Sequence, residues 1–111
     1  MILKNLSQKT ILCSNLKIAS TFFDNLFGLL RQSNQGMLFY TRFGIHTFGM
    51  TKNIDVLILD KEHKVVKINI GLHHNQLFFW NPKYNIVIEL PEGSVNISKT
   101  KPGDQLFWAK K

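Results

Sequence analysis

The segment Ile54 to Asp60, IDVLILD, constrains the fold more than any other part of the chain. Apart from Asp55 near its start, it is apolar at every position up to Leu59. A half-buried strand would alternate polar and apolar residues. An unbroken run of this length reads instead as a strand covered on both faces. Just before it, Ile45 to Met50 (IHTFGM) packs a histidine, a threonine, a phenylalanine, a glycine and a methionine into one short stretch. That mixture suits neither a plain core strand nor a plain turn, so its chemistry is over-specified for packing alone.

The flanking periodicities fill in the fold. Thr10 to Ile18 is apolar at Ile11, Leu12, Leu16 and Ile18 and reads as a strand. Ala19-Ser20-Thr21 offers cap residues, and Phe22, Phe23, Leu26, Leu29 and Leu30 recur at helical spacing, which predicts a helix over Thr21–Arg31. Gly28 inside that helix marks a close approach of another backbone. From Met37 onward the period falls to two or to short apolar runs. Met37–Tyr40 is a short strand, and Asp60–Lys64 is a hairpin connection. Val66, Ile68 and Ile70 alternate with Lys67 and Asn69, as in a strand with one wet face. Tyr84, Ile86, Ile88 and Leu90 line one face of a further strand, with Asn85, Val87 and Glu89 on the other. Pro91 and Gly93 close it, Pro102-Gly103-Asp104 is a turn, and Gln105–Ala109 is the last strand. Many short strands and one helix without βαβ alternation predict a mainly β fold, an antiparallel β-sandwich or barrel with one short α-helix.

The 111 residues, 44% hydrophobic, make a single domain, 1–111. A chain of this size buries roughly 65% of its unfolded surface without needing disulfides or metals. Its one cysteine, Cys13, permits no intrachain disulfide. The N-terminus lacks the continuous apolar region of a signal peptide, and no run approaches a membrane span, so a cytoplasmic location away from membranes is expected. The net charge of +7 comes from scattered lysines, with Lys110-Lys111 as the densest run. A solvated basic surface accounts for that pattern, and any nucleic-acid binding is expected to be weak and non-specific.

Several pieces, in order, resemble the small domain family DUF192: Leu26-Phe27-Gly28-Leu29-Leu30, Gly36-Met37-Leu38-Phe39, Ile45-His46-Thr47-Phe48-Gly49-Met50, Ile54-Asp55-Val56, Glu89-Leu90-Pro91-Glu92-Gly93 and Gly103-Asp104. The resemblance covers about residues 16–108. It implies a compact all-β sandwich or barrel with one short helix, and it brings no established activity. The chain departs from the family pattern at Asn25, where an arginine is common, and at Thr51-Lys52-Asn53, where Arg-Phe-Pro is common. A mechanism depending on a fixed guanidinium is therefore not expected here.

His46 has the best chemical case, because a neutral imidazole exchanges protons near neutral pH. The competing structural role is a histidine that fixes a bend through a backbone carbonyl. Asp55, on an apolar strand, must reach solvent, accept backbone N–H bonds or pair with His46 or a cation, and a hydrogen-bonding role is favoured. Glu89 shares the Asn85 face, and its ordinary reading is a surface carboxylate. Met50 reads as core filler. In Gly71–Lys83, the aromatics Phe78, Phe79 and Trp80 either cap the core, the favoured reading, or rim a pocket. His46, His63, His73 and His74 match no zinc spacing, so no metal is expected. Phosphate loops, nucleophile elbows and CxxC pairs are absent, and no cofactor is expected.

Two classes of function remain. One is a non-enzymatic module that binds a small ligand or a protein through His46, Thr47, Phe48, Met50, Phe79 and Trp80. The other is a small acid–base or hydrolytic enzyme using His46 oriented by Asp55, with Glu89 as a further candidate.

Overall fold

The computed structural model describes residues 1–19, 35–42, 44–46, 52–73 and 76–109, His46 by its backbone. The expected helix Thr21–Arg31 lies outside these residues, as do Thr47, Phe48, Gly49, Met50, Thr51 and His74. The described elements are β1 (Ile2–Asn5), β2 (Thr10–Cys13), β3 (Leu16–Ile18), β4 (Gly36–Tyr40), β5 (Ile45–His46), β6 (Ile54–Leu59), β7 (Val65–Leu72), β8 (Leu77–Phe78), β9 (Ile86–Pro91), a short helix α1 (Ser94–Ser98) and β10 (Leu106–Ala109).

The centre is a five-stranded sheet in the order β3-β4-β9-β6-β7. As the sequence predicts, every residue of β6 is buried. Its odd and even positions feed two different cores. Leu57 and Leu59 join Ile86, Ile88 and Leu90 of β9 on one face. Ile54, Val56 and Ile58 join Met37, Phe39 and Val87 on the other. Burying each such Leu or Ile contributes about 1.5–3 kcal/mol. The first face is covered by a three-stranded antiparallel sheet, β10-β1-β2, which contributes Leu3, Leu12 and Leu106, and by Val95 of α1. On the second face Ile45 and Phe78, from the two-stranded sheet β5-β8, pack with Trp80. The result is a mainly β sandwich, not a closed barrel.

Several details differ from the sequence expectation. Thr10–Ile18 is two strands, because the chain changes sheets at Ser14-Asn15: β2 pairs with β1, whereas β3 runs parallel to β4. That parallel pair makes the central sheet mixed rather than purely antiparallel. The crossing is tight at Gly36, where a Cβ would meet Cys13 Sγ at 2.9 Å and Leu90 Cδ2 at 3.0 Å. The hairpin connection forms as expected, with Asp60 Oδ1 accepting the N–H groups of Glu62 and Lys64, both at 2.9 Å. Strand β7 does not keep one wet face. Register shifts along its pairing with β6 send Val66 toward one core and Ile68 toward the other, and leave Ile70 exposed.

Strand β1 and helix α1 have no counterpart in the sequence reading. A buried polar network joins them to the turn before β10. Asn5 Nδ2 donates to Thr100 Oγ1 and to Asp104 Oδ2, each at 3.0 Å. Gln8 Nε2 and the Lys101 N–H also donate to the Asp104 carboxylate. Burial by itself pushes the Asp104 carboxyl upward. The bonds from Asn5, the Lys101 N–H and Gln8, with the Lys101 charge, outweigh it and hold the group below the ordinary carboxylate value.

Candidate functional site

Strands β5 and β8 pair antiparallel, with Ile45 opposite Phe78 and His46 opposite Leu77. The two stretches singled out in the sequence, Ile45–Met50 and Gly71–Trp80, are therefore adjacent through the backbone. Gly44 enters β5 with φ of 89°, a conformation that favours glycine. It also leaves no room for a side chain: a Cβ there would lie 2.6 Å from Phe79 Cδ1 and 2.9 Å from the Phe78 carbonyl oxygen.

The aromatic run divides by parity. Phe78 and Trp80 are buried in the second core, with ring centroids 5.7 Å apart and planes tilted by 44°. Trp80 Nε1 donates to the Tyr84 carbonyl at 2.8 Å, so its polar edge is satisfied. Phe79, between them, is 59% exposed, and Leu77 is 57% exposed. Core capping therefore describes Phe78 and Trp80, and a surface position describes Phe79. The segment is held from below. Lys67 Nζ donates to the Phe79 carbonyl at 3.1 Å and sits 5.1 Å from the centre of the Phe78 ring. Arg42 Nη1 donates to the carbonyls of Pro82 at 2.8 Å and Lys83 at 3.0 Å, fixing the return of the loop.

The two candidate carboxylates are separated by the sheet. Asp55 is fully buried on the face of Leu57 and Leu59, beside α1. Its Oδ1 accepts the Gly71 N–H at 2.9 Å, and its Oδ2 accepts the N–H groups of Gly93 at 3.2 Å and Val95 at 3.0 Å. Gly93 is the N-cap of α1 and has no side chain to offer. Asp55 supplies the missing acceptor from another strand. This is the backbone-bonding role favoured from sequence, and it is directed away from β5.

Glu89 stands opposite Met37 on one side and Val56 on the other, both members of the second core. It is buried, not the surface carboxylate that simple alternation suggests, because both faces of β9 are covered. It therefore lies on the side of the sheet that β5 and β8 cover. No group of three or more His, Cys, Asp or Glu suited to a metal ion occurs among the described residues. His63 stacks on Trp108, with ring centroids 4.1 Å apart, at the far end of the β6–β7 hairpin from Ile54. No described helix is long and apolar enough to cross a membrane.

With this geometry in place, comparison with known proteins gives a consistent answer. The model of the DUF192 family, described as Uncharacterized ACR, matches residues 3–108, which takes in β1 and β2 as well as the stretch recognised from motifs. A UPF0127 protein of Pyrococcus abyssi is 34% identical over 100 residues, spanning 84% of this chain and 85% of its own length. A UPF0127 protein of Thermococcus sibiricus is 30% identical over 117 residues, spanning 96% of this chain and 74% of its own length. The crystal structure of a protein of unknown function from Novosphingobium aromaticivorans superposes with a TM-score of 0.77 at 16% identity, covering 96% of this chain and 82% of that one. At that identity the likeness speaks for the fold alone. The family match and the two relatives show that the chain belongs to the uncharacterised DUF192 family, to which the UPF0127 proteins also belong.

Proposed function

We propose that the chain is a non-enzymatic binding module whose working face is built on the β5–β8 pair. The observation that carries this reading is the register of Ile45 with Phe78 and of His46 with Leu77. It joins two segments, far apart in sequence, that each stand out for their residue types. Leu77 and Phe79 stand out from a backbone pinned by Lys67 and Arg42. Apolar anchors on a fixed backbone lose little conformational freedom when a small ligand or protein packs on them. His46, Thr47, Phe48 and Met50 belong to the same proposal, whereas Trp80, buried in the second core with its Nε1–H bonded to the Tyr84 carbonyl, drops out of it.

A screen of small aromatic and heteroaromatic fragments by ¹⁵N–¹H NMR tests it. The expected result is a set of shift changes centred on Ile45, His46, Leu77 and Phe79, reduced in a Phe79→Ser variant. Shifts centred instead on the Asn5–Asp104 network would overturn it.

One observation favours a second reading, an acid–base or hydrolytic enzyme built on His46: the buried Glu89 carboxylate lies on the side of the sheet that β5 covers. Under this reading Glu89, rather than the backbone-bound Asp55, is the carboxylate on that side, although His46 pairs with the exposed Leu77 and it is Ile45 and Phe78 that pack into the core there. Replacing His46 with Gln keeps hydrogen bonding but removes proton exchange near neutral pH. An enzymatic His46 leaves thermal stability unchanged and loses activity in the variant. A structural His46 loses about 1–3 kcal/mol when a buried partner is left unsatisfied.

A further inference from the structure

The outer face of the three-stranded sheet β10-β1-β2 is independent of the β5–β8 site and has a composition of its own. On β1, Leu3 and Asn5 point inward, so Lys4 points out. Its cross-strand partners are Phe107 on β10 and Ile11 on β2. Leu6 follows two positions after Lys4, and its N–H donates to the Gln105 carbonyl, which continues the ladder. Phe107, Ile11 and Leu6 are 48%, 56% and 51% exposed. Three large apolar side chains thus neighbour one exposed lysine on an antiparallel sheet face, and neither core of the protein uses them.

A second copy of the chain fits this face poorly. Packing it on itself about a twofold axis through its centre brings Lys4 close to Lys4, between two molecules that each carry a net charge of +7. Charge complementarity calls for an anionic partner, and the aromatic beside the lysine calls for one with flat apolar rings. Unpaired nucleic acid has both: its bases stack on exposed aromatics, and its phosphates pair with lysine. Lys9, in the β1–β2 turn, adds a second exposed positive charge to the same sheet.

We infer that the outer face of β10-β1-β2 binds single-stranded nucleic acid without sequence preference, by stacking a base on Phe107 while Lys4 takes an adjacent phosphate. A duplex, whose bases are already stacked, binds more weakly at this face. Neither binding nor its loss involves Leu77 or Phe79.

Fluorescence anisotropy of a labelled oligothymidylate of about 12 nucleotides tests the inference at about 50 and about 200 mM salt, where phosphate contacts weaken with rising salt. Wild-type protein is expected to bind more tightly at the lower salt. Phe107→Leu keeps an apolar residue but loses the ring, and is expected to bind about 5- to 160-fold more weakly, the worth of one base–aromatic stack. Phe107→Tyr is expected to bind like wild type, and Phe79→Ser to be unaffected. Lys4→Gln is expected to flatten the salt dependence by about 0.7 in log–log slope, the share of one phosphate. Circular dichroism confirms that each variant is folded. Absence of binding at the lower salt overturns the inference. So does an unchanged affinity in folded Phe107→Leu, or equal displacement by polyglutamate, which would assign the face to an acidic peptide.

Discussion

Asp55 and Glu89 stand on adjacent paired strands and face opposite sides of the sheet: Asp55 is opposite Leu90, and Glu89 is opposite Val56. The sheet itself therefore keeps the two carboxylates from acting as a pair, and it divides their work. Asp55 ties β6 to β7 and to the start of α1, through bonds to Gly71, Gly93 and Val95. Glu89 is left on the side where β5 and β8 close over the second core.

Replacing Asp55 with Asn is expected to destabilise the fold by at least about 1–3 kcal/mol, the cost of one unsatisfied N–H. The amide has one acceptor oxygen where the carboxylate has two, so either the Gly71 N–H or the Gly93 and Val95 pair faces an NH₂ group. Each N–H left unsatisfied costs about 1–3 kcal/mol. Urea unfolding measures the loss, and the Gly93 and Val95 amide resonances report where it falls. A variant as stable as wild type would mean that these bonds do not hold α1 in place.

Asp104 makes stability depend on acid. Its carboxyl is held below the ordinary value in the fold, so the unfolded chain takes up its proton first as pH falls. Its contribution is complete above the ordinary carboxylate range and is lost as pH falls from there through the lowered folded value. Asp104→Asn is expected to be less stable than wild type at neutral pH, with the gap shrinking only in that acidic window. Thermal unfolding of both proteins from neutral to acid checks this, and a gap independent of pH contradicts it.

How far these features were legible in the sequence depends on how local their causes are. Strands β4, β6, β9 and β10 lie close to where their own residues place them, because burial pattern is written along each strand. Helix α1 was invisible for a physical reason: five residues with a glycine N-cap carry no side-chain cap of their own, and the acceptor comes from Asp55, 38 positions before Gly93. Glu89 is buried where the sequence suggests a surface carboxylate, because alternation gives a residue's face but not whether that face is covered. The segments that make the β5–β8 pair stand out by composition, yet their pairing rests on two residues of each strand and has no local signal.

Two neighbouring aromatics are expected to respond in opposite ways. Trp80→Phe removes the donor that satisfies the Tyr84 carbonyl and leaves unfilled space in the second core, so a loss of about 1–3 kcal/mol follows. Phe79→Ser acts on an exposed side chain and is expected to change stability by less than about 0.5 kcal/mol. Chemical denaturation of the two variants measures both effects. A large loss in Phe79→Ser would show that its ring supports the fold, and would remove it from the binding face.

Gly44→Ala tests the candidate site without touching any residue that faces a ligand. The glycine has φ of 89°, where an L-residue is strained by about 1–3 kcal/mol. The added methyl also needs space that the Phe79 ring and the Phe78 carbonyl occupy. The ring can swing aside, but the carbonyl belongs to the strand that pairs with Ile45, so relief requires β8 to move away from β5. The expected outcome is a destabilisation of about 1–3 kcal/mol. Amide shift changes should concentrate at Ile45, His46, Leu77 and Phe78, and the Asn5–Asp104 network should be unchanged. If this face binds fragments, Gly44→Ala should weaken them even though every apolar anchor is retained. Unaltered fragment binding beside a displaced β8 would show that the site does not depend on the pairing, and the binding proposal would lose the observation that carries it.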